Sequence, residues 1–144
     1  MIGLDTSFLV GLTIREHPAH ARCWELFEGE IRGREVSVGL SSQVLTEFMH
    51  VITDSRRFSR PLSMPDALAI AKEWWQAVEC QPVSPSEQAV SVFLGWMSQH
   101  RLGRKRLLDT MLAASYYSAG IHRIATTNWR DFRIFGVFEL IELD

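Results

Sequence analysis

The sequence predicts an α/β fold, a mainly parallel central sheet flanked by helices, and three observations carry that prediction. Short segments that read as strands, at residues 2–4, 35–40 and 122–127, alternate with longer segments whose apolar residues recur every three or four positions. Strands separated by helical segments imply right-handed crossovers between parallel neighbours. The first run, MIGL, ends on an acid, Asp5, and open parallel sheets place their functional crevice outside the carboxyl ends of the strands.

Ile2, Gly3 and Leu4 read as the first strand. Asp5, Thr6 and Ser7 favour a helix N-terminus over a helix interior, so the chain turns there into a helix. From Pro18, suited to a first helical turn, Trp24, Phe27 and Ile31 share a face, and Gly33 stops the segment. Residues 35–40, EVSVGL, form the second strand. Ser41 and Ser42 offer caps to a short helix over residues 43–54, where Val44, Phe48 and Val51 share a face with Leu45 and Ile52 beside them.

Residues 54–63, DSRRFSRPLS, read as a loop. Pro65 and Asp66 open a further helix, with Ala71, Trp74, Trp75 and Val78 at i, i+3, i+4 and i+7, and QPVSPSEQ at residues 81–88 breaks it. Ala89, Val92, Phe93 and Trp96 mark the next helix. LGRKR then leads into LLDTMLAASYYSAG, residues 107–120, whose Gly120 suits the position after a helix end. HRIATT is a strand, NWRDF a polar turn, and VFELIEL alternates as an edge strand does.

Composition narrows the class. With 144 residues, 47% apolar and 22% charged, the chain is expected to fold as one domain over residues 1–144 and lies far from the composition of disordered chains. Cys23 and Cys80 have neither the spacing of a thiolate metal site nor that of a redox pair, which suits a reducing compartment. No apolar run approaches the ~20 residues of a membrane span and no basic leader precedes the first strand, so the expected location is the cytoplasm, away from membranes. A net charge of −2 gives no global attraction to nucleic acid and leaves such binding to local basic clusters.

Four carboxylates stand out. Asp5 can cap the following helix, Glu47 can sit on a solvated flank, and Asp109 can face the dipole of its helix from the first turn. Asp131 and Asn128, in TTNWRDF, suit turn chemistry alone. Yet each follows a predicted strand or starts the helix after one, so the fold would gather them at one edge. Carboxylates crowded in one cleft raise one another's pKa unless a cation supplies the missing charge. Mg²⁺ suits such a site, because it takes one or two protein carboxylates, keeps waters and accepts substrate phosphate.

Other residues stay in the background. His17, His20, His50, His100 and His122 show no paired ligand spacing and are assigned no metal, although His50 follows Glu47 by three on one helix. Adjacent Trp74 and Trp75 point ~100° apart, which leaves one of them for a partner or for packing between helices. A dehalogenase-type phosphatase requires a second aspartate two residues after the first, where Ser7 stands. A phospho-receiver requires an acidic pair and a late lysine, and the only lysines are Lys72 and Lys105.

LDTSFLV, LTEFMHV, LLDTMLAASYYSAG and IATTNWRDF, in that order, resemble the PIN domain, specifically the VapC-type toxins of bacterial toxin–antitoxin systems. The resemblance implies a Rossmann-like sheet and a metal-dependent ribonuclease, using Mg²⁺ or possible Mn²⁺, that forms a homodimer and is held inactive by a cognate antitoxin. Asp5, Glu47 and Asp109 match the metal-binding acids of the family. Where the commoner pattern has a fourth aspartate this chain has Asn128, and Asp131 is expected to take its place. Thr6, Ser7, Thr127 and Asn128 are expected to line the pocket. The implied reaction is RNA phosphodiester hydrolysis by a metal-activated water, leaving a 5′ phosphate and a 3′ hydroxyl. Two basic clusters, Arg56, Arg57 and Arg60 in one loop and Arg101, Arg104, Lys105 and Arg106 before the Asp109 helix, are candidates for phosphate contacts or plain solvated charge. The rival is a PIN-like RNA- or antitoxin-binding module without catalysis, favoured by Asn128.

Overall fold

In the computed structural model, which describes residues 1–144, the strand β1 (Ile2–Leu4) lies at the centre of a five-stranded sheet and is buried along its whole length. Its neighbours are β2 (Val38–Ser41) and β4 (Arg123–Thr126), with β3 (Cys80–Val83) and β5 (Glu139–Glu142) at the edges, in the order β3-β2-β1-β4-β5. All four pairings are parallel. Strands buried on both faces must be apolar throughout, and Ile2, Leu4, Val38, Leu40 and Ile124 are each 2% exposed or less.

The helices are α1 (Thr6–Thr13), α2 (His20–Leu26), α3 (Ser42–Ile52), α4 (Met64–Gln76), α5 (Glu87–Gln99), α6 (Leu107–Ser118) and α7 (Trp129–Arg133). Ser41, Ser63 and Ser86 cap α3, α4 and α5 through their hydroxyl oxygens, each accepting a backbone N–H of the first turn. A single core of 29 buried residues joins sheet and helices, with Phe8, Phe48, Tyr116 and Phe132 its largest enclosed side chains.

One close approach sets the position of α6. Gly3 and Gly39 are register partners on β1 and β2, and a Cβ on Gly3 would stand 2.7 Å from the Tyr116 ring. A Cβ on Gly39 would stand 2.3 Å from Cδ1 of Ile121, just beyond α6. The paired glycines let the helix settle onto the strands.

Several expectations are corrected. Residues 81–88 do not simply break a helix, since Cys80–Val83 form β3. Pro82, in register with Leu40, is tolerated because this is an edge strand. NWRDF is not a turn but the short helix α7 behind Asn128. Val78 lies beyond α4 and is 57% exposed. Trp24 is exposed although Phe27 and Ile31 pack inward, because a π-helical turn, Phe27–Ile31, adds a residue and shifts the phase after α2. Of the face proposed for α5 only Ala89 is fully buried. No helix is long and apolar enough to cross a membrane.

Candidate active site

The strand order reverses at β1 and β4, and the chain opens a cleft of about 470 Å³ at their carboxyl ends. Asp5, Thr6, Ser7, Glu47, Asp109 and Asn128 line it, together with His17, Arg57 and Phe58. The acids arrive on three separate elements, the end of β1, the middle of α3 and the first turn of α6.

Asp5 is both a cap and a cleft acid. Its Oδ1 accepts the Thr6 N–H at 2.8 Å, closing the N-terminus of α1. Its Oδ2 accepts the Thr126 hydroxyl at 2.6 Å and the Ser7 hydroxyl at 3.2 Å. Burial pushes its pKa up, and this outweighs the hydrogen bonds that favour the carboxylate. Glu47, at the cleft mouth, is raised by burial first and by the charge of Asp5 second. Asp109 is raised to about 6 by burial and then by Asp5, Asp131 and Glu47, with Arg106 opposing. Glu47 and Asp109 are thus held above their ordinary values by burial and partly by the charge of Asp5, whereas Asp5 itself is raised mainly by burial.

A second layer fixes these acids, and the sequence did not disclose it. Thr126, fully buried, accepts the Asn128 N–H at 2.9 Å while its hydroxyl donates to Asp5. The Ser7 hydroxyl accepts the Thr127 N–H at 3.0 Å, tying α1 to the end of β4. The buried Tyr116 hydroxyl donates to the Leu4 carbonyl at 2.5 Å and accepts the Ser41 N–H at 3.2 Å. It therefore joins the residue before Asp5 and the cap of the Glu47 helix to the helix that carries Asp109. The one available signal was spacing, since Tyr116 follows Asp109 by seven and shares its helix face.

The remaining candidates divide. Asn128 lines the cleft, whereas Thr127 does not and contributes only its backbone N–H. Asp131 stands outside the lining, its side chain 44% exposed and 3.9 Å from Arg106, which also donates to the Asp131 carbonyl. Its charge still reaches Asp5 and Asp109. Arg57 lines the cleft and Arg60 a neighbouring groove, while Arg56 points outward beside Asp54. Arg104 and Lys105 are exposed on a 3₁₀ turn before α6, and Arg106 is half-buried in its contact with Asp131. His50 is exposed and is not among the lining residues, but His17 is.

The donor set fits a hard divalent cation. Every candidate ligand is an oxygen, and the buried Thr6 hydroxyl lies beside the Glu47 carboxylate, which it helps to keep charged. No three Asp, Glu, His or Cys side chains close into a full cage. Mg²⁺ does not need one, since it binds through one or two carboxylates and retains waters.

No protein-family model matches the chain. It is 26% identical over 140 residues to Ribonuclease VapC33 of Mycobacterium tuberculosis, covering 91% of this chain and 97% of the relative. It is 27% identical over 141 residues to Ribonuclease VapC24 of the same organism, covering 94% and 92%. Among solved structures, M. tuberculosis VapC20, described as a sarcin-ricin-loop-cleaving toxin, superposes with a TM-score of 0.65 at 18% identity over 86% of this chain and 87% of that one. The VapBC-1 structure from nontypeable Haemophilus influenzae gives 0.66 at 15% identity, over 99% and 98%.

Proposed function

We propose that this chain, a VapC-type PIN domain by sequence and by fold, is a Mg²⁺-dependent endoribonuclease and the toxin of a toxin–antitoxin pair. The observation that carries the proposal is the convergence of Asp5, Glu47 and Asp109, from three elements, on one cleft at the point of strand reversal. Relatives named as VapC ribonucleases over nearly the whole chain support the reaction class, and the fold shared with a structure described as a toxin-antitoxin complex from Klebsiella pneumoniae supports an antitoxin partner.

Asp5, Glu47 and Asp109 would hold the ion, one or two directly and the rest through its waters, with the Asn128 amide and the Thr6 hydroxyl beside them. When bound, Mg²⁺ supplies positive charge to phosphoryl oxygens and lowers the pKa of a water that attacks the phosphodiester. Thr126 and Ser7 fix the Asp5 carboxylate by hydrogen bonds to one of its oxygens. The hydrogen bonds of Tyr116 keep the strand ends in register with the Asp109 helix. Exposed Arg104 and Lys105 offer phosphate contacts that an acidic cleft cannot supply. The proposal includes action in the cytoplasm, where RNA is available, and a homodimer burying the apolar side chains Val90, Leu94, Leu107 and Leu108, all more than 40% exposed.

Asn128 favours the second reading, a binding module that has lost catalysis. A chelator experiment separates the two. A nuclease binds RNA in EDTA and cuts it when Mg²⁺ is restored, whereas a binding module retains it intact in both.

A further inference from the structure

The acidic cleft continues into a second groove of about 560 Å³, and His17, Arg57 and Phe58 line both. Along this path the charge changes sign. Asp5, Glu47 and Asp109 stand in the cleft, and Arg57 and Arg60 in the groove, opposed there by Glu16 alone.

The loop that presents these residues is internally braced. Asp54 accepts the backbone N–H and the Nε–H of Arg56 at 2.9 and 3.3 Å, and its carbonyl accepts the N–H groups of Arg57 and Phe58, both at 3.1 Å. Arg57 reaches Asp54 only at 3.5 Å and remains 59% exposed, and Arg60 enters no ion pair. Phe58 is half-buried against the core. His17 accepts the Ala19 N–H at Nδ1 (3.1 Å), so its neutral ring carries the proton on Nε2 as a donor. One aromatic side chain flanked by guanidinium groups and an imidazole donor is the equipment that holds a nucleotide of a flexible strand, the base on the ring and the phosphate on the cations.

We propose that this groove is a subsite for the nucleotide next to the cleaved bond of a single-stranded RNA, with Phe58 receiving its base and Arg57, Arg60 and His17 its phosphate. The subsite rests on the nuclease reading of the adjoining cleft. It explains how a polyanion is kept beside an acidic site, since one anchored phosphate holds its neighbour over the carboxylates.

The test is binding of a labelled single-stranded oligouridylate of about ten nucleotides in EDTA, by fluorescence anisotropy over a salt series. Arg60→Ala is expected to weaken binding about tenfold at low salt and to reduce the salt slope by about 0.7, the value for one phosphate contact on a single strand. Phe58→Leu is expected to weaken it about tenfold with the slope unchanged, and Phe58→Trp to retain it. Arg60 lies on an exposed loop, so its variant reports even if Phe58→Leu fails to fold. Variants that bind as the wild type does, with Mg²⁺-dependent cleavage intact, overturn the subsite and spare the nuclease. Wild-type protein that neither binds nor cuts RNA overturns both.

Discussion

Replacing Tyr116 by Phe removes one oxygen from the centre of the molecule and keeps the ring that fills the space over Gly3. Two buried backbone groups lose a partner, the Leu4 carbonyl and the Ser41 N–H. An orphaned buried polar group costs about 1–3 kcal/mol, and one of the two can be partly relieved by small shifts, so the expected loss is about 2–4 kcal/mol. For a domain of this size that is a fall in Tm of about 6–12 °C, read by circular dichroism. The second consequence is catalytic. Leu4 precedes Asp5 and Ser41 caps the Glu47 helix, so relaxing both displaces the acids relative to Asp109. Misplacement by a few tenths of an ångström is expected to cost about tenfold in kcat with KM little changed. The assay is Mg²⁺-dependent cleavage of an RNA substrate below the melting range. An unchanged Tm refutes the reasoning on stability. A lowered Tm with unchanged kcat shows that the hydroxyl holds the fold together without positioning the acids.

Asp109→Asn is expected to abolish cleavage yet stabilise the metal-free protein. The folded pKa of about 6 lies above the ordinary value of 3.8, so folding costs extra as pH rises through that window. After solvent screening the gain is about 1–2 kcal/mol at pH 7.5 and absent at pH 4, checked by urea unfolding in EDTA. Mg²⁺ is expected to raise the Tm of the wild type more at pH 8 than at pH 5.5, because protons compete with the ion for Asp109 and for the raised carboxyl of Asp5. An equal rise at both pH values argues that the ion binds elsewhere. Asp131→Asn is expected to lower kcat less than about fivefold, far less than Asp5→Asn, since it stands outside the lining and acts through its charge alone. Gly3→Ala is expected to destabilise by about 1–3 kcal/mol because the Tyr116 ring it meets is pinned by its hydroxyl, whereas Gly39→Ala meets only the tip of Ile121 and costs less.

What the sequence made legible was whatever is written locally. The apolar run to Asp5, the Ser41 cap and the continuously apolar surroundings of Asp109 place three acids after strands or at helix starts, and the parallel topology then brings them together. β3 was hidden because its two exposed residues, Gln81 and Pro82, erase the strand pattern, which only an edge strand tolerates. α7 is five residues long, too short for a helical period to show. The residues that hold Asp5 were hidden for a different reason. Thr126 contacts it across 121 positions, and Tyr116 reaches Leu4 across 112, so no local signal names either. In the doublet Thr126–Thr127 the sequence alone pointed to the wrong threonine, because a shift of one along a strand turns the side chain to the opposite face. Asp131 was favoured by its charge, but the contact of Arg106 with its carbonyl and carboxylate draws it to the rim.

The proposed role of the three converging acids is metal-dependent cleavage of RNA. Its most direct test is incubation of purified protein, freed of any bound partner, with total bacterial RNA in Mg²⁺, in Mn²⁺ and in EDTA, beside Asp109→Asn. Discrete fragments bearing 5′ phosphates are expected from the wild type with metal, and none in EDTA or from the variant. Intact RNA in every lane, or cleavage by Asp109→Asn equal to that of the wild type, would contradict that role.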